Sequence, residues 1–535
     1  MQRRQFLLGA AASGWLAACR RWGLAPELQG QIVGANWQLG HRLQQLAGQA
    51  PFQGPRPRVE VLILGGGMAA LTGAWRLAHG GLEDFLLLEL ESELGGNSRA
   101  AHYACSAAPW GAHYLPLPTQ ESTVVLRILE EMKILLGFDA HGQARFDLDQ
   151  VVHDPDERIF AFGSWEEGLF PRGGASSSEL DQWLAFQQDM QSWKQRRDRQ
   201  GRKAFALPLA FSSPEPEVRA LDGITMAEYL SRKGWNSPRL HWYVDYCCRD
   251  DYGTSLQRTS AWAGIHYFAS RDSQPEAELT WPEGNQRLVQ HLQSRLGQRR
   301  RPGHLVVRVQ AEAGEWRVDA WDAARECLVG WRAPTVLFAL PTFQRPYLLG
   351  EPPRKDLAYA PWTVCNLVLS QIPPSAYEAS VGLCWDNVLY QSPSLGYVVA
   401  THQVSSHPGG PSVFTYYRPW SELEPSEARQ QMLQRSWKQM VSLVMEELLR
   451  VHPDLAGYCE RLDVMNFGHA MVSPLPGTIW GDTLGQARHP RSGLHFAHSD
   501  LSGVSIFEEA SYHGVRAAQE ILAERGLLKE DFLRS

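Results

Sequence analysis

The pattern of apolar positions around residue 60 predicts a strand, a turn, a helix and a second strand. Residues 59–64 form a short, mostly apolar run with β-branched side chains, typical of a buried parallel strand. A glycine-rich turn follows at once, and residues 71–79 carry apolar side chains at helical spacing. A second apolar run occupies residues 85–88. This order predicts an α/β fold with a parallel sheet.

The glycine-rich turn has the spacing G-x-G-x-x-A, at Gly65, Gly67 and Ala70. Gly65 permits a tight turn, Gly67 lets the backbone approach a pyrophosphate, and Ala70 lets the helix pack closely on the strand. The N–H groups at the start of the helix then face the phosphates. Glu89 lies 24 residues after Gly65, close to the spacing at which an acid accepts the ribose hydroxyls. An acid there disfavours a 2′-phosphate, so NADP would fit poorly.

A second glycine turn follows the ribose acid, at Gly95 and Gly96, and Arg99 comes shortly after it. The guanidinium of Arg99 is placed to hold a pyrophosphate through two hydrogen bonds. With these residues, the stretch 61–99 resembles the FAD-binding start of the flavoprotein family that contains amine oxidases, protoporphyrinogen oxidases and carotenoid desaturases. The resemblance implies that the segment around Gly111 runs beside the isoalloxazine ring.

The resemblance returns in two later parts of the chain. Around residues 281–309 it implies a loop and helix that return to the cofactor domain, and a strand whose Val306 contacts the adenine. Around residues 494–518 it implies a turn in which Ser499 and Asp500 contact the flavin ribityl and pyrophosphate. Here the chain reads His-Ser-Asp where the family usually has glycine followed by an acid.

The positions of these matches imply two interleaved domains. We expect a Rossmann-like FAD-binding domain, of α/β class, interleaved with a mixed α+β substrate domain. The FAD-binding domain is expected to comprise residues 58–115, 271–344 and 462–535. The substrate domain is expected to comprise residues 116–270 and 345–461.

The first residues resemble a signal peptide for export. Arg3 and Arg4 precede an apolar stretch in the manner of a Tat signal, and that stretch is too short to span a bilayer. Small residues then precede Cys19, as at a lipoprotein processing site where the thiol is acylated. We expect a Tat-type signal peptide over residues 1–18 and a linker over 19–57, whose residues 20–57 have no strong period and could instead wrap the protein surface. The absence of aspartate after Cys19 favours a lipid anchor in the outer membrane over the inner one, facing the periplasm.

Composition narrows the classes of function. The chain has 535 residues and a formal net charge of −7, which becomes −9 without the signal peptide, so nucleic acid is not expected as a partner. Seven cysteines remain after Cys19, an odd number that does not suggest a disulfide framework. His495 and His498 would point to opposite faces of a strand, and no metal site is predicted. There is no G-x-S-x-G or Walker motif of a hydrolase or NTPase.

Catalytic residues are less clearly marked than cofactor residues. His113 is a candidate acid or base near the flavin, and the alternative is a hydrogen-bonded structural histidine. Trp480 is a candidate flavin-facing aromatic, and the alternative is a core tryptophan. The polar and aromatic stretches 250–253 and 262–266 either line the substrate cavity or form a helix end and core.

A flavin in a dry pocket accepts a hydride, and the protein supplies orientation and excludes water. We therefore expect an FAD-dependent oxidoreductase, most simply an amine oxidase or dehydrogenase of a small molecule. Many amine oxidases of this family carry a lysine near the flavin, but no lysine lies between Lys355 and Lys438. Two alternatives stay open: a desaturase or oxidase of a hydrophobic substrate, and a flavin-binding protein with a non-oxidative or assembly role. The sequence does not indicate the electron acceptor.

Overall fold

The computed structural model of the protein describes residues 28–153, 156–271, 277–401 and 410–534. The expected signal peptide and Cys19 lie outside the described residues. Within the described part of the chain, no helix is both long and apolar enough to cross a membrane.

The predicted strand–turn–helix unit belongs to a five-stranded parallel sheet, called here the nucleotide sheet. In spatial order its strands are Arg300–Arg301, Phe85–Leu88, Val61–Leu64, Thr335–Phe338 and Leu494–Phe496. The two strands predicted from the sequence are buried along their whole length. The sheet therefore draws its strands from three separated parts of the chain.

The helix after the glycine turn, Met68–His79, begins three residues earlier than predicted and is buried along most of its length. It lies under the C-terminal helix Phe507–Glu524, which covers its outer side. At the crossing, a Cβ on Gly514 would lie 2.2 Å from the carbonyl oxygen of Ala69 and 2.2 Å from the hydroxyl of Thr72. Only glycine at position 514 permits this close approach of the two helices. The helix Met68–His79 is covered on both sides and therefore has no polar face.

A three-stranded antiparallel sheet packs on the nucleotide sheet through a shared apolar core. Its strands are His304–Glu312, Glu315–Asp322 and Cys327–Ala333.

The other large unit is a mixed sheet of eight strands, called here the large sheet. In spatial order its strands are Ile32–Gly34, Cys459–Ser473, Ala358–Leu369, Ser412–Pro419, Gly396–Val399, Asp386–Leu389, Glu157–Ala161 and Ser164–Glu167. The expected domain boundary between residues 461 and 462 is wrong, because it falls inside the continuous strand Cys459–Ser473. That strand pairs along most of its length with Ala358–Leu369.

The described part of the expected linker is ordered and connects the two units. Ile32–Gly34 pairs in parallel with Cys459–Ser473 in the large sheet. The helices Trp37–His41 and Leu43–Ala47 then place apolar side chains in the core of the nucleotide side. This part of the segment therefore contacts both units, and the choice between a linker and a surface-wrapping segment stays a prediction. Its contacts are with residues hundreds of positions away, so the local sequence shows no clear period.

The remaining elements form a helical layer and several small sheets. Helices Ser177–Gln195, Met226–Arg232, Pro238–Tyr252 and Ala261–Ala269 share one apolar core. The other helices are Thr123–Glu131, Pro216–Ala220, Gln286–Ser294, Arg345–Leu349, Pro374–Tyr377, Pro425–Gln434, Trp437–Leu448 and Asp482–Arg488. The small sheets are formed by Tyr114–Pro116 with Ala277–Thr280 and Val151–His153, by Ala100–His102 with Ala107–Pro109, and by Leu135–Phe138 with Ala144–Phe146.

Candidate active site

The first glycine turn has the conformation that the sequence predicts. Gly65 has φ +103°, and a Cβ there would lie 2.8 Å from the carbonyl oxygen of Ala339. Gly67 caps the helix without a side-chain hydrogen bond, and a Cβ on it would meet nothing within 4 Å. The first N–H groups of the helix have no intrahelical acceptor, and open space lies in front of them. Ala70 is fully buried against the sheet.

Glu89, at the end of its strand, braces the glycine turn. Its carboxylate accepts a hydrogen bond of 2.6 Å from the backbone N–H of Gly66 and one of 2.8 Å from that of Glu91. Burial raises the pKa of Glu89. The acid that the sequence assigns to the ribose thus also fixes the turn that faces the pyrophosphate, and the ribose contact stays a prediction.

The second glycine turn lies directly on the first. The N–H of Gly95 donates to the carbonyl oxygen of Gly66 at 2.8 Å, and a Cβ on Gly96 would lie 3.3 Å from the Cα of Gly67. Arg99 is buried beside this turn, where its Nε donates to the carbonyl oxygen of Gly96 at 3.0 Å. Its guanidinium also pairs with Glu91 at 3.3 Å, so the structure already holds Arg99 next to the two turns.

The segment around Gly111 is held between the second turn and the large sheet. A Cβ on Gly111 would lie 2.3 Å from the carbonyl oxygen of Asn97. On the other side, the hydroxyl of Tyr417 donates to the carbonyl oxygen of Gly111 at 2.6 Å. This clamp explains why glycine is needed there and connects the glycine turns to the large sheet.

Val306 and Asp500 occupy different environments. Val306 is buried in the core between the nucleotide sheet and the three-stranded sheet. The carboxylate of Asp500 is fully buried and accepts hydrogen bonds from the backbone and hydroxyl of Thr342, at 2.7 and 2.9 Å, and from Tyr359 at 2.7 Å. Burial alone would raise the pKa of Asp500, but His498, 3.0 Å away, and these donors lower it to about 2.

The carboxylate of Asp500 is therefore engaged within the protein. The side chain joins two parts of the protein interior, and the contact of Asp500 with the flavin ribityl stays a prediction. Ser499, which opens a short helical turn, lies beside it and is half-buried. The partner residues Thr342 and Tyr359 are more than a hundred positions away, so no local signal marks this role.

A group of acidic side chains lies near the segment that follows Gly111. Tyr114 and Glu278 lie on one face of a small sheet, because Tyr114 pairs with Thr280 and Glu278 with Pro116. We call the acids grouped around them the acidic cluster. Its members are Asp250, Asp251, Glu278, Asp386 and Glu508.

Burial and mutual repulsion raise the pKa values of the acidic cluster. Burial, followed by the charge of Asp251, raises the pKa of Asp250 to about 7. Burial also raises the pKa of Glu278 to about 7 and that of Asp386 well above its usual range. Arg271 is the nearby cation: burial opposes its charge, but Asp251 and Glu508 raise its pKa. Except for Glu508, which is buried, these residues are half-buried.

Two members of the acidic cluster are placed unfavourably for the fold. Asp250 and Asp251 lie in the last turn of Pro238–Tyr252, where the helix dipole disfavours negative charge. The sequence left stretch 250–253 open between a cavity lining and a helix end, and the structure shows a helix end whose acids belong to the cluster. Residues 262–266 lie in the core, where Trp262 and His266 stack at 4.9 Å.

The two catalytic candidates from the sequence lie in different places. His113 is 2% exposed, next to Tyr114, and makes an edge contact with Tyr417 at 5.8 Å. Burial lowers the pKa of His113 to about 3, so the imidazole is neutral at neutral pH, and its acid–base role stays a prediction. Trp480 packs against the helical core, 6.1 Å from the ring of Trp262, which favours its core alternative.

Comparison with known proteins identifies the fold. A family model described as an NAD(P)-binding Rossmann-like domain matches residues 63–132. A solved putrescine oxidase, bound to putrescine, is 14% identical, with 88% of this chain and 100% of that chain covered and a TM-score of 0.66. Cyclohexylamine oxidase from Brevibacterium oxydans is 14% identical, with 88% and 100% covered and a TM-score of 0.61. No curated protein matches the chain by sequence.

A third solved structure broadens the comparison. A fatty acid isomerase from P. acnes, described as CLA-producing, is 13% identical, with 87% of this chain and 98% of that chain covered and a TM-score of 0.58. The predicted α/β fold class is confirmed: a Rossmann-like dinucleotide-binding part is joined to a second unit in the arrangement of amine oxidases. At these identities the likeness shows the fold.

The two glycines of the first turn give opposite predictions. Gly67→Ala places a methyl group in the open space before the helix, so the fold is unaffected while a bound dinucleotide is obstructed, weakening its binding about tenfold or more. Gly65→Ala strains the backbone and lowers stability instead. The measurements are the melting temperature and the nucleotide released on heat denaturation. Wild-type nucleotide content in Gly67→Ala protein would contradict this reading of the turn.

Proposed function

We propose that the protein is an FAD-dependent oxidoreductase that oxidises an amine. The observation that carries this proposal is the acidic cluster, which lies beside the segment Gly111 to Tyr114. That segment is clamped to the second glycine turn, so a dinucleotide on the turns and a cation at the cluster would be neighbours. The likeness in fold to putrescine oxidase and cyclohexylamine oxidase supports the same reading.

The residues present fit FAD. The open space at Gly67 suits a pyrophosphate at a helix N-terminus. The sequence pattern assigns Glu89 to the ribose and Val306 to the adenine. The two ring nitrogens of His113 are buried without a hydrogen-bond partner, which leaves a polar group for a ligand beside the Gly111 segment. When bound, the isoalloxazine ring accepts a hydride from the substrate carbon.

The acidic cluster then acts on the amine. Ionised carboxylates bind an ammonium group and orient the carbon next to it. Asp250 and Glu278, whose pKa values are about 7, accept the ammonium proton, so that the amine is neutral before hydride transfer. This assigns proton acceptance to carboxylates in a chain without the lysine common in related enzymes. The rings of Tyr114 and Trp385, 5.5 Å apart, help to exclude water. Water then hydrolyses the imine product.

An anionic lipid is the main competing substrate, since the fold is also that of a fatty acid isomerase. The acidic cluster would repel a fatty acid carboxylate, and this favours the amine. An experiment separates these substrates: add a monoamine, a diamine or a fatty acid anaerobically to the flavin-loaded protein. We expect the diamine to bleach the oxidised flavin band fastest, because several acids surround one cationic side chain. Bleaching by lipophilic substrates alone would overturn the proposal, as would a protein that takes up no flavin.

The acidic cluster should also give a pH-dependent affinity for cations. Because its native pKa values are raised above unfolded ones, folding stability falls as pH rises from about 4 to about 7. Ionised acids at pH 8 bind a diamine, so the melting temperature rises more with diamine at pH 8 than at pH 5.5.

The double variant Asp250→Asn with Glu278→Gln should melt higher than wild type at pH 8. It should bind a diamine about tenfold more weakly or worse, because it loses two charged hydrogen-bond partners. Asp181→Asn, on the exposed side of a helix, is the matched control. An unchanged diamine shift in the double variant would rule out the cluster as the cation site.

We also propose that the protein is exported by the Tat route and anchored through a lipid on Cys19, on the periplasmic face of the outer membrane. The twin arginines and the small residues before Cys19 support this, and the Tat route carries folded, cofactor-loaded protein. Labelling of cells with a palmitate analogue should mark wild-type protein and not Cys19→Ala. Equal labelling of both would sink the proposal.

A further inference from the structure

His113 is unlike the other buried histidines of the described residues. Both of its ring nitrogens are buried without a hydrogen-bond partner. Each of the other four has at least one ring nitrogen in a hydrogen bond or ion pair. They are His266 with Ala206, His452 with Tyr397, His495 with Glu520 and His513 with Ser502.

The protein fixes the backbone around this ring. The carbonyl oxygen of His113 accepts from the hydroxyl of Thr280 at 3.0 Å, and Tyr417 holds both Gly111 and the edge of the imidazole. A buried polar atom that lacks a partner destabilises the fold, because it has lost its hydrogen bonds to water without replacing them. The fixed imidazole of His113 can therefore form a hydrogen bond with a bound ligand.

The chemistry of the ring limits that partner. Burial lowers the pKa of His113 to about 3, so the imidazole is neutral and offers one N–H donor and one nitrogen acceptor. It thus suits a neutral, polar, planar group better than a carboxylate or phosphate, which would favour a charged imidazole. The isoalloxazine ring, with its carbonyl and ring-nitrogen edge, has this chemistry.

We propose that His113 hydrogen bonds to the isoalloxazine ring as a neutral imidazole and tunes its reduction potential, an inference that rests on the proposed FAD function. Negative charge grows on the ring when it is reduced, and a fixed N–H donor stabilises that charge. In this proposal His113 acts electrostatically, by stabilising charge on the reduced ring, and not as the acid or base that the sequence suggested.

The test compares flavin-loaded wild type, His113→Ala and His113→Gln. The readouts are the visible absorption band and the equilibrium of reduction against a reference dye. We expect His113→Ala to shift the band and to move the equilibrium about tenfold toward oxidised flavin, since one hydrogen bond to charge is lost. His113→Gln keeps a donor and should recover part of the shift. His266→Ala, at another buried histidine in the helical core, is the matched control.

The outcomes separate this inference from the function on which it rests. Wild-type protein that takes up no flavin overturns the proposed function. Flavin-loaded His113→Ala with the wild-type band and equilibrium overturns the role of His113 and leaves the function standing. A shift of equal size in His266→Ala also overturns it. If His113→Ala fails to fold or to bind flavin, His113→Leu, which also lacks a donor, decides: a shifted band and equilibrium support the inference, and an unchanged band and equilibrium reject it.

Discussion

The contact between the two glycine turns is the constraint on which the rest of the site depends. The N–H of Gly95 donates to the carbonyl oxygen of Gly66 at 2.8 Å, and a Cβ on Gly96 would lie only 3.3 Å from the Cα of Gly67. From the second turn, backbone contacts continue through Asn97 and Gly111 to Tyr417 of the large sheet. These short contacts connect the nucleotide sheet and its glycine turns to the part of the large sheet near the acidic cluster.

The acidic cluster illustrates how a site can work against the fold that carries it. Carboxylates at the end of a helix, desolvated and close to one another, raise each other's pKa values and contribute little to stability. Arg271 balances only part of this charge. The excess of negative charge also attracts a cation. A cation that binds the folded protein therefore stabilises it and offsets the destabilising effect of the acids.

The parts of the protein that depend on local sequence could be predicted from it. Strand Val61–Leu64, its glycine turn and Glu89 follow from a short pattern whose chemistry is contained in thirty residues. The role of Asp500 could not, because Thr342 and Tyr359 reach it from distant strands and turns. The acidic cluster could not be predicted for the same reason. Only Asp250 and Asp251 are adjacent in sequence, and the other acids are brought to them by elements far along the chain.

The strand Ile32–Gly34 sets an order of events during synthesis. It leaves the ribosome among the first parts of the chain, yet its partners Val464 and Met465 are made more than four hundred residues later. The strand therefore waits unpaired until most of the protein has emerged, and its docking reports that the large sheet is nearly complete. The edge of the large sheet that this strand completes therefore stays open until late in synthesis.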